Sequence, residues 1–416
     1  MPTPLTHSRE AVIREKYLPP HRQQRTALSL SGGGYRAALF HLGVCRRLNE
    51  LGVLANLDAI SAVSGGSIFA AHLARCLVDS KGQCLANYEE LVAIPFRAFV
   101  QHDIRTVPAL TRLLPCNWFN SGAGAESLAG QYEKYLLGTM TLSQLPPQPN
   151  FIFCATDLTF GVAWVFSKQH AGDYQAGYMS PVNVAVQPLA RAVAASSCFP
   201  PVFRPLPMNL QPPDLTGGHA KADDRDECVR GLALTDGGVY DNMGLEPVWK
   251  THKSLLVSDG GKPFQFAEQH DTPHQLLRMQ DIMANQAEAL RKRWLISGYL
   301  RGDYTGAYLG IRNAVSDYPI SSGVGYSKEF ATQVIAAIRT DMDRFSDDEI
   351  WVLENHGYTL ADAAYRSHVS APGKAVPPLQ KIDNRCWPDP QRPLAELEKA
   401  LREALANSST IYALGH

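Results

Sequence analysis

Two apolar runs near the start of the chain end in glycine and pass directly into a helical pattern. "RTALSL" (25–30) meets "SGGG", and Tyr35, Ala38, Leu39, Leu42 and Val44 then form an apolar face until Gly52 stops the helix. "LDAISAVS" is the second run, and "GGSIFAAHLARCLV" opens the second helix without a linker. Strand and helix alternating in series through such short connections predict a parallel sheet covered on both faces. The fold class that follows is α/β, a three-layer α/β/α arrangement around a mostly parallel central sheet.

The rest of the chain extends that scheme. Residues 80–150 read as mainly helical, and "FIFCATDL" and "VAWVFSK" then resume the sheet. "PLARAVAASSCFPPVF" is a small-residue helix broken by prolines, and 205–230 reads as a surface loop or a short hairpin. "LALTDGGVYDN" and "SLLVSDGG" are two more strand-to-turn units. Beyond 265 the pattern is helical, with "YLGIRN" as one further strand. Three parts are expected: an N-terminal extension (1–24), a principal α/β domain (25–265) and a mainly helical region (266–416) packed on it.

Charge narrows the function. The 416 residues carry 39 basic and 40 acidic side chains, a net charge of −1, so the basic footprint of a nucleic-acid binder is missing. "LRKRW" (290–294) is one candidate for a local basic face. No apolar run approaches the roughly 20 residues of a spanning helix. The first twenty residues carry scattered charge and no apolar segment, unlike a secretory signal. The eight cysteines are dispersed without metal-binding spacing, which suits reduced thiols. A cytoplasmic protein with peripheral membrane contact is expected.

Three turns carry the chemistry: "SGGGYRA" (31–37), "AVSGGS" (62–67) and "DGGVYDN" (236–242), each at the end of an apolar strand. In a parallel sheet such ends converge on one face. Ser64, between a strand and Gly65-Gly66, has the setting of a nucleophile elbow; it is equally suited to capping the next helix. The glycines of "SGGGYRA" can turn amides toward an oxyanion at a helix start. They also fit G-x-G-x-x-A through Gly32, Gly34 and Ala37, a dinucleotide fingerprint with Glu50 or Asp58 as the ribose acid. Asp236 can take a proton from a serine across the sheet, or simply form an Asp-Gly turn. Asp259 has nearly the same local sequence, with Lys262 near enough to neutralise it. No histidine follows a strand in a turn that would make a triad.

The ordered set GGGxR, then SGGS, then DGGVYDN, with "ATDLTFG" and "AVAASSCFPPVF" between, resembles the patatin-like phospholipases over roughly residues 25–265. Members of that family are acyl hydrolases with a Ser–Asp dyad. The resemblance implies Ser64 as nucleophile and Asp236 as general base. It implies an oxyanion hole from Gly32, Gly33 and Gly34, chiefly the last two, with an amide from Gly65. Arg36 would fix the glycine loop and hold positive charge near it. Ser31 stands where many members have Asp, and Ala37 and Ala62 where many have Gly.

The implied function is hydrolysis of fatty acyl esters of a membrane glycerolipid, of phospholipase A or lysophospholipase type, with no metal or cofactor. The alternatives are a non-catalytic lipid-binding protein on the same fold and a dinucleotide-binding oxidoreductase. Segments 105–119 and 290–300 mix apolar and basic residues and are the candidates for membrane contact. Assembly into a homo-oligomer is compatible with the chain.

Overall fold

The computed structural model describes residues 23–111, 122–200, 202–264, 272–371 and 373–410. Its strands are β1 (Gln23–Leu30), β2 (Ala59–Val63), β3 (Asn150–Asp157), β4 (Val162–Phe166), β5 (Ala171–Asp173), β6 (Gly177–Met179), β7 (Leu206–Pro207), β8 (Leu215–Thr216), β9 (Ala233–Asp236), β10 (His252–Asp259) and β11 (Thr305–Gly310). They form one sheet in the order β11-β10-β1-β2-β3-β4-β5-β6-β8, with β9 pairing β3 and β7. The five strands from β11 to β3 are parallel. From β4 outward the pairing is antiparallel. The predicted parallel sheet is therefore the centre of a mixed one, extended by short strands that include β7 and β8 from the 205–230 segment.

Alternation along β1 shows the layers. Leu28 and Leu30 join a core with Ile60, Ala62, Phe151 and Phe153 beneath helices α1 (Gly34–Glu50), α2 (Gly65–Asp79) and α3 (Leu189–Ser197). Ala27 faces the other way, with Ala59, Leu255, Val257 and Leu295. Leu295 belongs to α4 (Thr272–Leu300), which covers that second face. Burial on both faces explains why these strands read as continuous apolar runs.

Helix α5 (Asp347–His368) lies along α1, and glycine sets their approach. A Cβ on Gly43 would come 1.9 Å from the Glu354 carbonyl oxygen, and one on Gly357 would come 2.0 Å from that of Phe40. Buried ion pairs lock the contact: Arg47 Nη2 lies 2.7 Å from Asp362, and Arg46 and Arg97 hold the two Glu354 oxygens at 2.9 and 3.0 Å. A Ser346 capping box and three acidic residues in the first turn explain where α5 starts. Segment 336–342, just before α5, reaches the glycine loop at the start of α1: Tyr35 N–H donates to Asp341 O at 3.0 Å.

Strand-to-helix turns are packed backbone to backbone. A Cβ on Gly65 would lie 2.1 Å from Gly34 O, and one on Gly66 would lie 2.4 Å from Leu30 O. At the far end of the sheet, Asp157 and Asp173 are buried face to face. Asp157 accepts from Thr159 and Phe160 amides, and Asp173 from Gln175 and Ala176 amides. The Oδ2 atom of each has no other donor. Burial, with the Asp173 charge next, pushes Asp157 up to about 7, so one proton is shared between them.

Among the described residues no helix is long and apolar enough to cross a membrane. Of the two expected membrane-contact segments, 112–119, with Leu113, Leu114 and Trp118, falls outside the described residues. In the other, Leu290 and Leu300 are exposed. Two of its three basic residues do not form a free basic face: Arg291 leans on Asp241 at 3.7 Å and Lys292 on Asp259 at 4.0 Å.

Two stability measurements test this packing. Gly65→Ala should lower the unfolding free energy by about 2 kcal/mol or more, because backbone rather than a movable side chain fills the space. Gly130→Ala, on helix 123–132 with nothing within 4 Å of its Cβ, should raise stability by up to about 1 kcal/mol. Urea melts of the two variants should therefore shift in opposite directions. The Asp pair binds a proton in the fold that the unfolded chain has already released. Its stabilisation is full below about pH 4 and is lost as pH rises through about 7. Asp173→Asn supplies a permanent donor, so between pH 5 and 8 its urea midpoint should fall less than that of the native chain; an equal fall would count against the shared proton.

Candidate active site

Register brings the three turns together. Val63 of β2 pairs with Cys154 of β3, and Ala155, one residue on, pairs with Asp236 of β9. Ser64 and Asp236 thus meet end to end along one edge of β3, where β2 stops and β9 takes over. The direction of β9 differs from the expectation of parallel strand ends: it runs antiparallel to β3 and delivers Asp236 from the opposite side. It can do so because β3 pairs with β2 through 150–154 and leaves 155–157 for β9.

Ser64 adopts φ 50° and ψ −117°, in the positive-φ region that side chains rarely occupy. Such strain persists only where surroundings impose it. Here Ser64 N–H is held by Ser196, at 3.1 Å to its carbonyl and 3.0 Å to its Oγ. The Ser196 carbonyl also accepts from Gly237 N–H at 3.2 Å, so one residue fixes both the serine turn and the aspartate turn. Its hydroxyl donates to Cys154 O at 2.6 Å. The sequence reading missed Ser196; a serine in a small-residue helix gives no local sign of this role. Ser64 makes no side-chain cap to its helix, which removes the capping alternative.

The Asp236 carboxylate faces the Ser64 hydroxyl and accepts a hydrogen bond from Gly238 N–H at 2.7 Å. It is buried, and desolvation pushes it up to about 6, with the Ser64 hydroxyl and then the Gly238 amide opposing the rise. Asp259 lies two strands away from β2, across β1. Its carboxylate accepts from Tyr308 Oη at 2.5 Å and Gly261 N–H at 3.0 Å. Its nearby cation is Lys292, while the expected Lys262 is exposed.

In the glycine loop, Gly33 (φ 138°) and Gly34 (φ 57°) have conformations that favour glycine. Gly32 N–H donates to Asn242 O at 3.0 Å and is therefore occupied. Among the described residues the amides of Gly33, Gly34 and Gly65 have no hydrogen-bond partner. Arg36 is buried and spends its guanidinium on carbonyls: Gly260 at 3.2 and 2.9 Å, Ala336 at 3.0 Å and Ile338 at 2.8 Å. Burial lowers it to about 10, which leaves it charged at neutral pH. It ties the loop after β10 and the 336–338 segment to the start of α1.

The dinucleotide alternative fails on geometry. Asp58 immediately precedes β2 and Glu50 ends α1, both at the opposite end of those elements from the loop, and they pair with Arg25, His252, Arg47 and Tyr358. His41, the histidine nearest the loop in sequence, bonds Ser258 and the Ser31 carbonyl at 2.7 and 2.9 Å, and burial lowers it to about 4.

A family model described as patatin-like phospholipase matches residues 28–249, a little over half of the chain. Comparison with curated proteins gives no match. Among solved structures, human GIVD cytosolic phospholipase A2 is similar at 12% identity and a TM-score of 0.48, over 92% of this chain and 63% of that one. The same human enzyme in complex with methyl gamma-linolenyl fluorophosphonate gives 12% and 0.43, over 92% and 60%. VipD from Legionella pneumophila gives 16% identity and 0.27, over 62% of this chain and 52% of that one. This chain thus spans less than two thirds of each. With the family's motifs in order on the predicted α/β sheet, the chain belongs to the patatin-like phospholipase family.

Proposed function

We propose that this protein hydrolyses fatty acyl esters of glycerolipids, as a phospholipase A or lysophospholipase, through Ser64 and Asp236. Membership of a phospholipase family supports lipid acyl hydrolysis as the activity. One arrangement carries the finer proposal: the hydroxyl of a strained, elbow-held serine faces a buried carboxylate, with unpaired glycine amides on the neighbouring loop.

Ionised Asp236 accepts the Ser64 proton as Oγ attacks the ester carbonyl carbon. The carbonyl oxygen becomes an oxyanion against Gly33 and Gly34 N–H, with Gly65 N–H as a further donor; each such donor is worth roughly 3 to 4 kcal/mol. Collapse breaks the ester bond, and the leaving alcohol takes the proton from Asp236. Water then attacks the acyl-Ser64, gives its proton to Asp236, and the acid departs as the proton returns to Ser64. Burial of Asp236 serves this cycle, because a carboxylate raised to about 6 is a stronger base than an exposed one. Exposed Phe199, Val202 and Val239 flank the two turns and suit a lipid ester rather than a polar one.

Paired aspartate variants test the assignment. Asp236→Asn should lower kcat on a p-nitrophenyl ester by about 100-fold to 10,000-fold, the range of a lost general base. Its melting temperature should hold or rise, since a desolvated charge is removed. Asp259→Asn should keep most of its turnover and lose some stability with its Tyr308 and Gly261 bonds. An active Asp236→Asn protein, or an inactive but folded Asp259→Asn protein, would overturn the dyad. Because the base must be ionised, native kcat/KM should climb with pH through about 6.

A further inference from the structure

Asn242 stands where three glycine turns meet, those at 31–34, 236–238 and 259–261. Its carbonyl takes Gly32 N–H at 3.0 Å. Its side-chain oxygen would lie 2.4 Å from a Cβ on Gly32 and 2.8 Å from one on Gly238; its side-chain nitrogen would lie 2.8 Å from one on Gly261. The amide is thus wedged with oxygen toward the glycine loop and the Asp236 turn, and nitrogen toward the turn after β10. An amide plane in such a wedge has two orientations of nearly equal shape, and its hydrogen-bond partners choose between them.

That choice falls to a residue outside the matched family segment. Glu288, on α4, faces the nitrogen side of that amide: its Oε1 lies 3.6 Å from the Gly261 Cβ position, from which Asn242 Nδ2 lies 2.8 Å, and the Asn242 side chain favours its ionised form. We infer that Glu288 is a positioning residue of the hydrolytic site: by accepting from the Asn242 side-chain nitrogen, it keeps the Asn242 oxygen toward Gly32 and Gly238. The inference rests on the Ser64–Asp236 reading above. Without the acceptor the amide can turn over and present N–H toward Gly238. Asp236 Oδ1 lies 3.0 Å from the Cβ position of that same glycine, so a donor arriving there would stabilise the ionised base and weaken it.

The surroundings make Glu288 responsive to pH. Burial first, and then the Asp259 charge, push it up to about 8, with Asp241 adding to the rise. Lys292 and the Asn242 side chain oppose this. Arg36 and Tyr308 also face it, and Arg291 sits on Asp241. Ionised, Glu288 can only accept; protonated, it can donate and release the amide.

Glu288→Met keeps the side-chain length and removes the acceptor, while Glu288→Gln keeps an acceptor and removes the titration. On a soluble p-nitrophenyl ester at about pH 9, where Glu288 is ionised, Glu288→Met should lose tenfold or more in kcat with KM within about twofold and an unchanged or raised melting temperature. Glu288→Gln should keep at least a third of native kcat and lose the native inflection near pH 8, with the one near 6 retained. Native kcat in a folded Glu288→Met protein would overturn the inference and leave the dyad standing. Turnover of the native chain no higher than that of Ser64→Ala would overturn the dyad and this inference with it.

Discussion

Carbonyl oxygens of Leu30 and Gly34 lie where any side chain at 66 and 65 would have to go. This approach of one strand–helix turn to the next is the constraint from which the site follows. It presses the turn after β2 against the turn after β1, so the glycine loop comes beside Ser64. The same constraint explains the strained Ser64 backbone, which is held by Ser196 rather than by any preference of its own. Removing side chains from these turns leaves the amides of Gly33, Gly34 and Gly65 unpaired among the described residues, and a negative charge is what amides at a helix start bind best.

Electrostatics divides the strand ends into two groups. Asp236 is buried, accepts from Gly238 N–H and is pushed up to about 6 by desolvation. Asp259, though its local sequence is nearly the same, is taken up by Tyr308, Gly261 and Lys292. Arg36 supplies no free cation to substrate, because its donors are directed at carbonyls of the surrounding loops. Its charge holds the walls of the site together.

Much of this was legible in the sequence where the determining forces are local. The two strand–glycine–helix units follow from periodicity and turn chemistry, while the strand read at "YLGIRN" (308–313) lies three residues earlier, at Thr305–Gly310. The direction of β9 did not, because a four-residue strand carries no record of which neighbour it will meet. Strands β5 to β8 are two or three residues long and fall below any periodic signal. Nothing local in "DGGVYDN" marks Asn242, because its contact with Gly32 joins positions over two hundred residues apart. Lys262 was the natural partner for Asp259 by proximity in sequence; helix packing brought Lys292 instead. Glu288 looked like any polar residue of an amphipathic helix, and only the packing of α4 on the second sheet face turned it inward.

The central claim is that Ser64 is a nucleophile, and covalent capture tests it most directly. A fluorophosphonate should react with the folded native chain and add one phosphonyl group, and peptide mapping should place it on Ser64. The Asp236→Asn chain should label far more slowly at the same residue. A label on a different side chain, or none on a preparation that turns over ester, would contradict the account.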